Sequence, residues 1–235
     1  MTLTVGTGPF GHRPGGRFNF DPPEGVRYLE DSPRWMRARL GGETVADSKR
    51  TKLLHESGTL PHLLFPEQDV RLDLIPEEAV HRREDLPGLV ELDWGAMDEW
   101  LEEEEPAFGH PRDPYHRIDV RQTSRHVRVS LNDESLAESS RPLALFEASL
   151  PTRWYFPRED VRVDLLSEGE LRTTCAYKGH ATHFDYGDED SIAWTYEEPE
   201  REVVPIKGHI AFYNERVDLE VDGEPQERPV TPFSR

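Results

Sequence analysis

Arg34-Trp-Met-Arg-Ala-Arg-Leu-Gly-Gly-Glu-Thr-Val-Ala-Asp-Ser48 decides the fold of this chain, because it returns 91 residues later as Arg125-His-Val-Arg-Val-Ser-Leu-Asn-Asp-Glu-Ser-Leu-Ala-Glu-Ser139. Six positions are identical between the two stretches. The same offset carries Glu56 onto Glu147, and Phe65-Pro-Glu-Gln-Asp-Val-Arg-Leu-Asp-Leu74 onto Phe156-Pro-Arg-Glu-Asp-Val-Arg-Val-Asp-Leu165. Two weaker blocks follow: Trp100 to Pro106 resembles Trp194 to Pro199, and Ile118 to Val120 resembles Val217 to Leu219. Blocks that recur in one order describe a duplicated unit.

Each copy reads as a run of short strands. Met36–Leu40 and Val127–Leu131 alternate in polarity, and Gly41-Gly42 or Asn132-Asp133 supplies the hairpin turn that follows. Asp69 to Ile75 and Asp160 to Leu166 alternate too and are expected as strands, as are Thr173 to Tyr177, Ala181 to Asp185, Ile192 to Tyr196 and His209 to Tyr213. The best helix candidate is Trp94 to Glu105, closed by Pro106, although its glutamates fit a solvated strand edge equally well. The expected fold class is therefore mainly β, two tandem small antiparallel β-domains with little helix. Residues 1–20 read as a Gly-rich N-terminal arm packed on the first copy. Residues 21–120 form a first, degenerate copy with its linker, 121–223 a second, complete copy, and 224–235 a loose polar tail.

Composition narrows the function classes. At 235 residues, with 35% hydrophobic and 32% charged, two thin domains with small cores fit better than one thick α/β core. A net charge of -19 argues against nucleic acid and against an anionic membrane surface, both of which need clustered positive charge. The single cysteine, Cys175, rules out an intrachain disulfide and suits a reducing compartment. The N-terminus lacks a basic region followed by an apolar stretch, and no apolar run approaches the roughly 18 residues needed to span a bilayer, so a soluble, cytoplasmic protein is expected.

Chemistry-bearing residue types are densest in the second copy. Arg141 and Glu147 lie six residues apart, an even spacing that puts both on one face of an extended segment. Arg153 stands beside Trp154 and Tyr155; Cys175, Tyr177 and Lys178 crowd into four positions; Trp194, Phe212 and Tyr213 add rings. Plainer roles are open to each. Arg141 and Glu147 can pair at a surface, the rings can fill a core, and Cys175 can be an inert buried thiol, since Lys178 approaches it only if the chain turns there. Two clusters could in principle hold metal: Cys175, His180 and His183, or His110, Asp113, His116 and Asp119. Neither follows a zinc-site spacing. The serine-elbow, phosphate-loop and dinucleotide signatures are absent.

Ser140-Arg-Pro-Leu-Ala-Leu-Phe-Glu147, Leu150-Pro-Thr-Arg-Trp-Tyr-Phe-Pro157, Thr174-Cys-Ala-Tyr-Lys-Gly179, Ala193-Trp-Thr-Tyr196 and Ile206-Lys-Gly-His-Ile-Ala-Phe-Tyr213, in that order, resemble the DUF427 family. The first copy, with Glu43-Thr-Val-Ala-Asp-Ser48 and Leu54-His-Glu56, resembles a degenerate second member, as in tandem forms of actinobacterial type. The resemblance implies a compact antiparallel β-fold of Mss4-like or β-tent type. The family sometimes carries a nucleotidyltransferase label, and the Gly-Ser with paired aspartates which that chemistry requires is absent here. Ala176 stands where the family usually has proline, and the first copy has no counterpart of Cys175 to Gly179.

The leading expectation is a small-molecule pocket in the second copy for an anionic or carbonyl-bearing ligand, with the cofactor and the oligomeric state left open. Arg141 holds the anionic or carbonyl group, and Glu147 serves as general base or positions the ligand. Tyr177 and Lys178 donate hydrogen bonds, Cys175 is a candidate nucleophile, and Tyr155, Trp194 and Tyr213 form apolar walls. Two rivals stand beside it: a non-catalytic β-scaffold for binding or assembly, and a metal-dependent hydrolase using His110 and His116 or His180 and His183.

Overall fold

A computed structural model describes residues 2–231, 233 and 234. The chain divides between Tyr115 and His116 into two compact units. The first carries β1 (Arg27–Asp31), β2 (Met36–Leu40), β3 (Glu43–Ser48), β4 (Lys52–Glu56), β5 (His62–Pro66), β6 (Val80–Arg82), β7 (Leu89–Leu92), β8 (Glu99–Glu102) and β9 (Glu105–Pro106). Their order is β1-β4-β5-β7-β6 in one sheet and β3-β2-β8-β9 in the other. The second unit carries β10 (Ile118–Gln122), β11 (Val127–Leu131), β12 (Glu134–Ser139), β13 (Leu143–Glu147), β14 (Arg153–Phe156), β15 (Ser167–Cys175), β16 (Gly179–Tyr186), β17 (Glu189–Thr195), β18 (Ile210–Phe212), β19 (Asp218–Val221) and β20 (Glu224–Gln226). Here the orders are β10-β13-β14-β18-β17-β16-β15 and β12-β11-β19-β20. All pairings are antiparallel, and the described helical residues lie in short 3-10 segments. No described helix is long and apolar enough to cross a membrane.

The two small sheets share one topology, and the large sheets match strand for strand until the second unit adds β16 and β15 at one edge. Fine structure repeats at the same offset. The β-bulge between Ala38 and Arg39 recurs between Val129 and Ser130, and the isolated bridge Ala46–Val70 recurs as Ala137–Val161. Both residues of each hairpin turn have positive φ: 60° and 82° at Gly41 and Gly42, 52° and 65° at Asn132 and Asp133. That is the turn whose twist matches its strands, and it tolerates only glycine and short polar side chains.

Two local expectations are corrected and one alternative is decided. Asp69–Ile75 and Asp160–Leu166 are not strands but paired 3-10 turns, Glu67–Asp69 with Leu72–Leu74 and Arg158–Asp160 with Val163–Leu165. In each copy only one N–H from the stretch reaches a strand carbonyl: Arg71 donates to Val45 and Arg162 to Leu136. Of the two readings of Trp94–Glu105 the strand edge holds: a 3-10 turn, Trp94–Ala96, leads into β8, whose pairing with β2 overrides helical propensity. The weaker repeat blocks do not correspond in space. Trp100 sits in β8 opposite Ala38, Trp194 in β17 opposite Ala211, and the counterpart of β8 is β19. The tail is ordered at its start, where β20 pairs with β19.

Packing explains the alternation. In the first unit Met36, Ala38, Val45, Leu53, Phe65 and Trp100 form the core between the sheets. In the second, Val127, Val129, Leu136, Ala144, Trp154, Phe156, Phe184 and Phe212 do the same. The large sheet of the second unit also buries its other face. Leu143, Leu145, Tyr155, Ala181, Trp194, Tyr196 and Ala211 form a separate apolar cluster there, with Val203 and Ile206 of the 3-10 segment Arg201–Ile206.

Candidate functional site

Strand alternation on that second face gathers the functional side chains. Leu143, Leu145 and Glu147 are successive same-face positions of β13, and Tyr155 and Arg153 lie opposite Leu143 and Leu145 on β14. Trp194 lies opposite both His183 and Ala211. The added hairpin supplies the rest. Cys175 pairs with Gly179, the Lys178 N–H donates to the Cys175 carbonyl at 3.3 Å, and Gly179 turns the chain at φ 94°. Cys-Ala-Tyr-Lys-Gly is thus the tight turn between β15 and β16.

Glu147 is the centre of the arrangement. Its Oε2 accepts from Lys178 Nζ at 2.5 Å, and its Oε1 lies 3.1 Å from His116 Nε2. Its side chain is 5% exposed and that of Lys178 10%. Burial alone would raise the carboxyl pKa, but the Lys178 ammonium and the His116 hydrogen bond overcome it and hold the group at about 2. Such a carboxylate only accepts hydrogen bonds, so His116 Nε2 must carry the hydrogen and donate it. The Tyr177 ring stacks on the His116 ring, centroids 4.1 Å apart, and fixes its plane.

Behind this polar group the face is aromatic. Tyr155 is fully buried and accepts a hydrogen bond from Trp194 Nε1 at 3.0 Å. Burial drives its phenol far above the ordinary tyrosine value, the indole pulling the other way, and Glu147 and Cys175 both raise it further. Tyr196 is raised as well, by burial first, then by Tyr155, Cys175 and Glu147. Glu147, Cys175, Tyr155 and Tyr196 therefore share one electrostatic neighbourhood. Arg153 grips Glu215 through two bonds of 2.7 and 2.6 Å, both side chains almost fully buried, and Thr231 donates to the same carboxylate at 2.5 Å. The guanidinium lies 5.7 Å from the Trp194 ring and 5.9 Å from that of Tyr213.

Of the expected residues, Glu147 at the end of β13 is met by Lys178 from the Cys175–Gly179 turn that also carries Cys175 and Tyr177, while Tyr155, Trp194 and Tyr213 form the aromatic ground beside Arg153. Arg141 joins neither group. It is 62% exposed and pairs with Glu159 at 2.8 Å and Asp160 at 3.2 Å, away from Glu147. The first copy shows why: Ser48, Arg50 and Asp69 make the same corner as Ser139, Arg141 and Asp160, each serine donating to its aspartate at 2.7 Å and accepting an arginine N–H at 3.0 Å. In sequence His116 suggests only a metal ligand, because the carboxylate it serves lies 31 positions away.

The metal clusters disperse. His183 is buried against Thr173, whereas His180 is exposed beside Thr174. Asp113 accepts from Thr2 and from the Tyr115 N–H, and Asp119 pairs with Arg117. Among the described residues no three His, Cys, Asp or Glu side chains converge as metal ligands would.

An antiparallel β-domain made twice, with a buried carboxylate at the end of β13 in the second copy, defines the class. A family model described as a domain of unknown function, DUF427, matches residues 28–99 and 119–223, and the chain belongs to that family. The two matched segments fall one in each unit, as a tandem member requires. A search of the curated proteins finds no match.

Proposed function

We propose that the second domain binds a small carbonyl-bearing molecule at the polar group that closes one face of its large sheet at the end of β13, with His116 as the proton-transferring group. The observation that carries this reading is the buried Glu147 carboxylate held between Lys178 and His116. At a pKa of about 2 it is too weak a base to take protons near neutral pH, so its part is to orient. It fixes the His116 tautomer with Nε2–H inward, which leaves Nδ1 as the nitrogen able to accept a proton. Lys178 is already neutralised by Glu147, so the site carries little net charge and suits a carbonyl oxygen better than a free anion. Lys178 and Tyr177 donate to that oxygen, Cys175 lies at the same turn, and Trp194 and Tyr213 offer rings to an apolar remainder.

The test is a titration of the full chain with a panel of aldehydes, 2-oxo acids, amides and esters, followed by amide chemical shifts. The expected result is saturable shifts confined to His116, Glu147 and Cys175–Gly179, weakened about tenfold in His116→Gln, the loss of one hydrogen bond to a polarised group. Shifts elsewhere, or unaltered by that variant, contradict the proposal.

A second reading, a non-catalytic scaffold, is favoured by one observation: Arg153 and Glu215, like Lys178 and Glu147, satisfy each other within the domain. On that reading variants at these positions lose stability and no member of the panel binds.

A further inference from the structure

The corner of the first domain where β1 ends and β4 begins holds a cleft of about 420 Å³, lined among others by Asp31, Ser32, Lys49, Arg50, Thr51 and Lys52. Its size lies within the range of small-ligand sites. In a chain of net charge -19 with four lysines, two of those lysines and an arginine meet here against one lining carboxylate. Lys52 pairs with Asp31, and Arg50 with Asp69 at 2.5 Å. Lys49 lies over the Trp35 ring, its Nζ 4.4 Å from the centroid, and among the described residues no carboxylate reaches it.

Thr51 lines the same cleft. The residue is fully buried, and its Oγ1 has no hydrogen-bond partner. A buried hydroxyl without a partner costs about 1–3 kcal/mol, so its retention asks for a reason. The duplication provides an internal control. Ninety-one residues on, the serine, arginine and aspartate that build this corner are all present, as Ser139, Arg141 and Asp160. Lys49, Thr51 and Lys52 are replaced there by Ser140, Pro142 and Leu143. The corner folds without the two lysines and the hydroxyl, and their convergence on a cleft is the first domain's own.

We propose that this cleft binds the phosphoryl group of a small metabolite. Lys49 and Lys52 supply charge, Arg50 closes one side, and Thr51 is a donor for an oxygen entering between them. A tetrahedral dianion, with three free oxygens, satisfies this donor set more fully than a planar carboxylate. The site lies in the other domain from the Glu147 site and stands or falls independently of it.

The test titrates the full chain with inorganic phosphate and with glycerol 3-phosphate, against acetate at equal ionic strength, reading the amide shifts of Ser32 and Lys49–Lys52. Saturable shifts at these amides are expected from both phosphates and not from acetate. Lys49→Gln and Thr51→Val should each weaken binding about tenfold, while Arg141→Gln at the matching corner leaves it unchanged. Thr51→Val removes an unpartnered hydroxyl and should fold at least as stably as the parent, so a loss of binding in it is not a loss of fold. Linear shifts spread over the surface arginines and lysines, equal response to acetate, or full binding in Thr51→Val overturns the proposal.

Discussion

A glutamic acid buried among rings would ordinarily keep its proton, and Glu147 loses it because an ammonium and an imidazole N–H stand at its two oxygens. Removing the charge while keeping the shape leaves Lys178 buried without a counter-ion, so Glu147→Gln should cost about 3 kcal/mol in denaturant unfolding at pH 7. Arg141 belongs to a different kind of residue. Its pKa is raised by Glu159 and then Asp160 at the surface, and the same brace exists around Arg50. Arg141→Ala and Arg50→Ala should therefore behave alike, each leaving the unfolding midpoint nearly unmoved and the Glu147 site intact. Urea curves of the two variants check this. The pairing of Arg141 with Glu147 looked reasonable in sequence, where six positions is an even spacing. In the fold Arg141 sits in the turn before β13 begins at Leu143, so strand parity does not govern it.

The tight turn after β15 is the element on which the site depends. Gly179 has φ 94°, and a Cβ there would lie 3.2 Å from the Glu198 carbonyl. Gly179→Ala should destabilise the domain by about 1–2 kcal/mol and displace Lys178, read as a loss of the Lys178–Glu147 contact in side-chain NMR. The hairpins after β2 and β11 were legible because glycine pairs and Asn-Asp mark positive φ without reference to the rest of the chain. The 3-10 turns were not. Val161, Val163 and Leu165 carry a strand-like period of two, yet only Arg162 finds a neighbouring strand carbonyl to bond. For Trp94–Glu105 the sequence leaves helix and solvated strand edge equally open, and β2, far back in the chain, decides for the strand β8.

At the scale of the whole molecule the repeat was the strongest signal in the sequence, and it extends to bulges and bridges that no composition could reveal. Each unit has its own apolar core. Residues 116–235 alone should therefore fold, giving a dispersed amide spectrum and one cooperative unfolding transition; a collapsed spectrum would show that the second copy depends on the first. What the repeat could not convey was divergence. The added β15–β16 hairpin brings Lys178 to Glu147, whereas its counterpart Glu56 is met by Arg27 and Arg83 at a more open position, 28% exposed.

The state of Glu147 tests the account most directly. Because its pKa is depressed in the fold, its contribution to stability is complete above about 4.5 and is lost as pH falls through about 2. Carbon-13 NMR of the Glu147 carboxyl, titrated from pH 7 downward in the folded protein, should show an ionised group with no inflection until close to pH 2, with the His116 Nε2 proton still directed at it. An inflection near 4.5 would mean that neither Lys178 nor His116 holds the carboxylate, and the proposed site would have no centre.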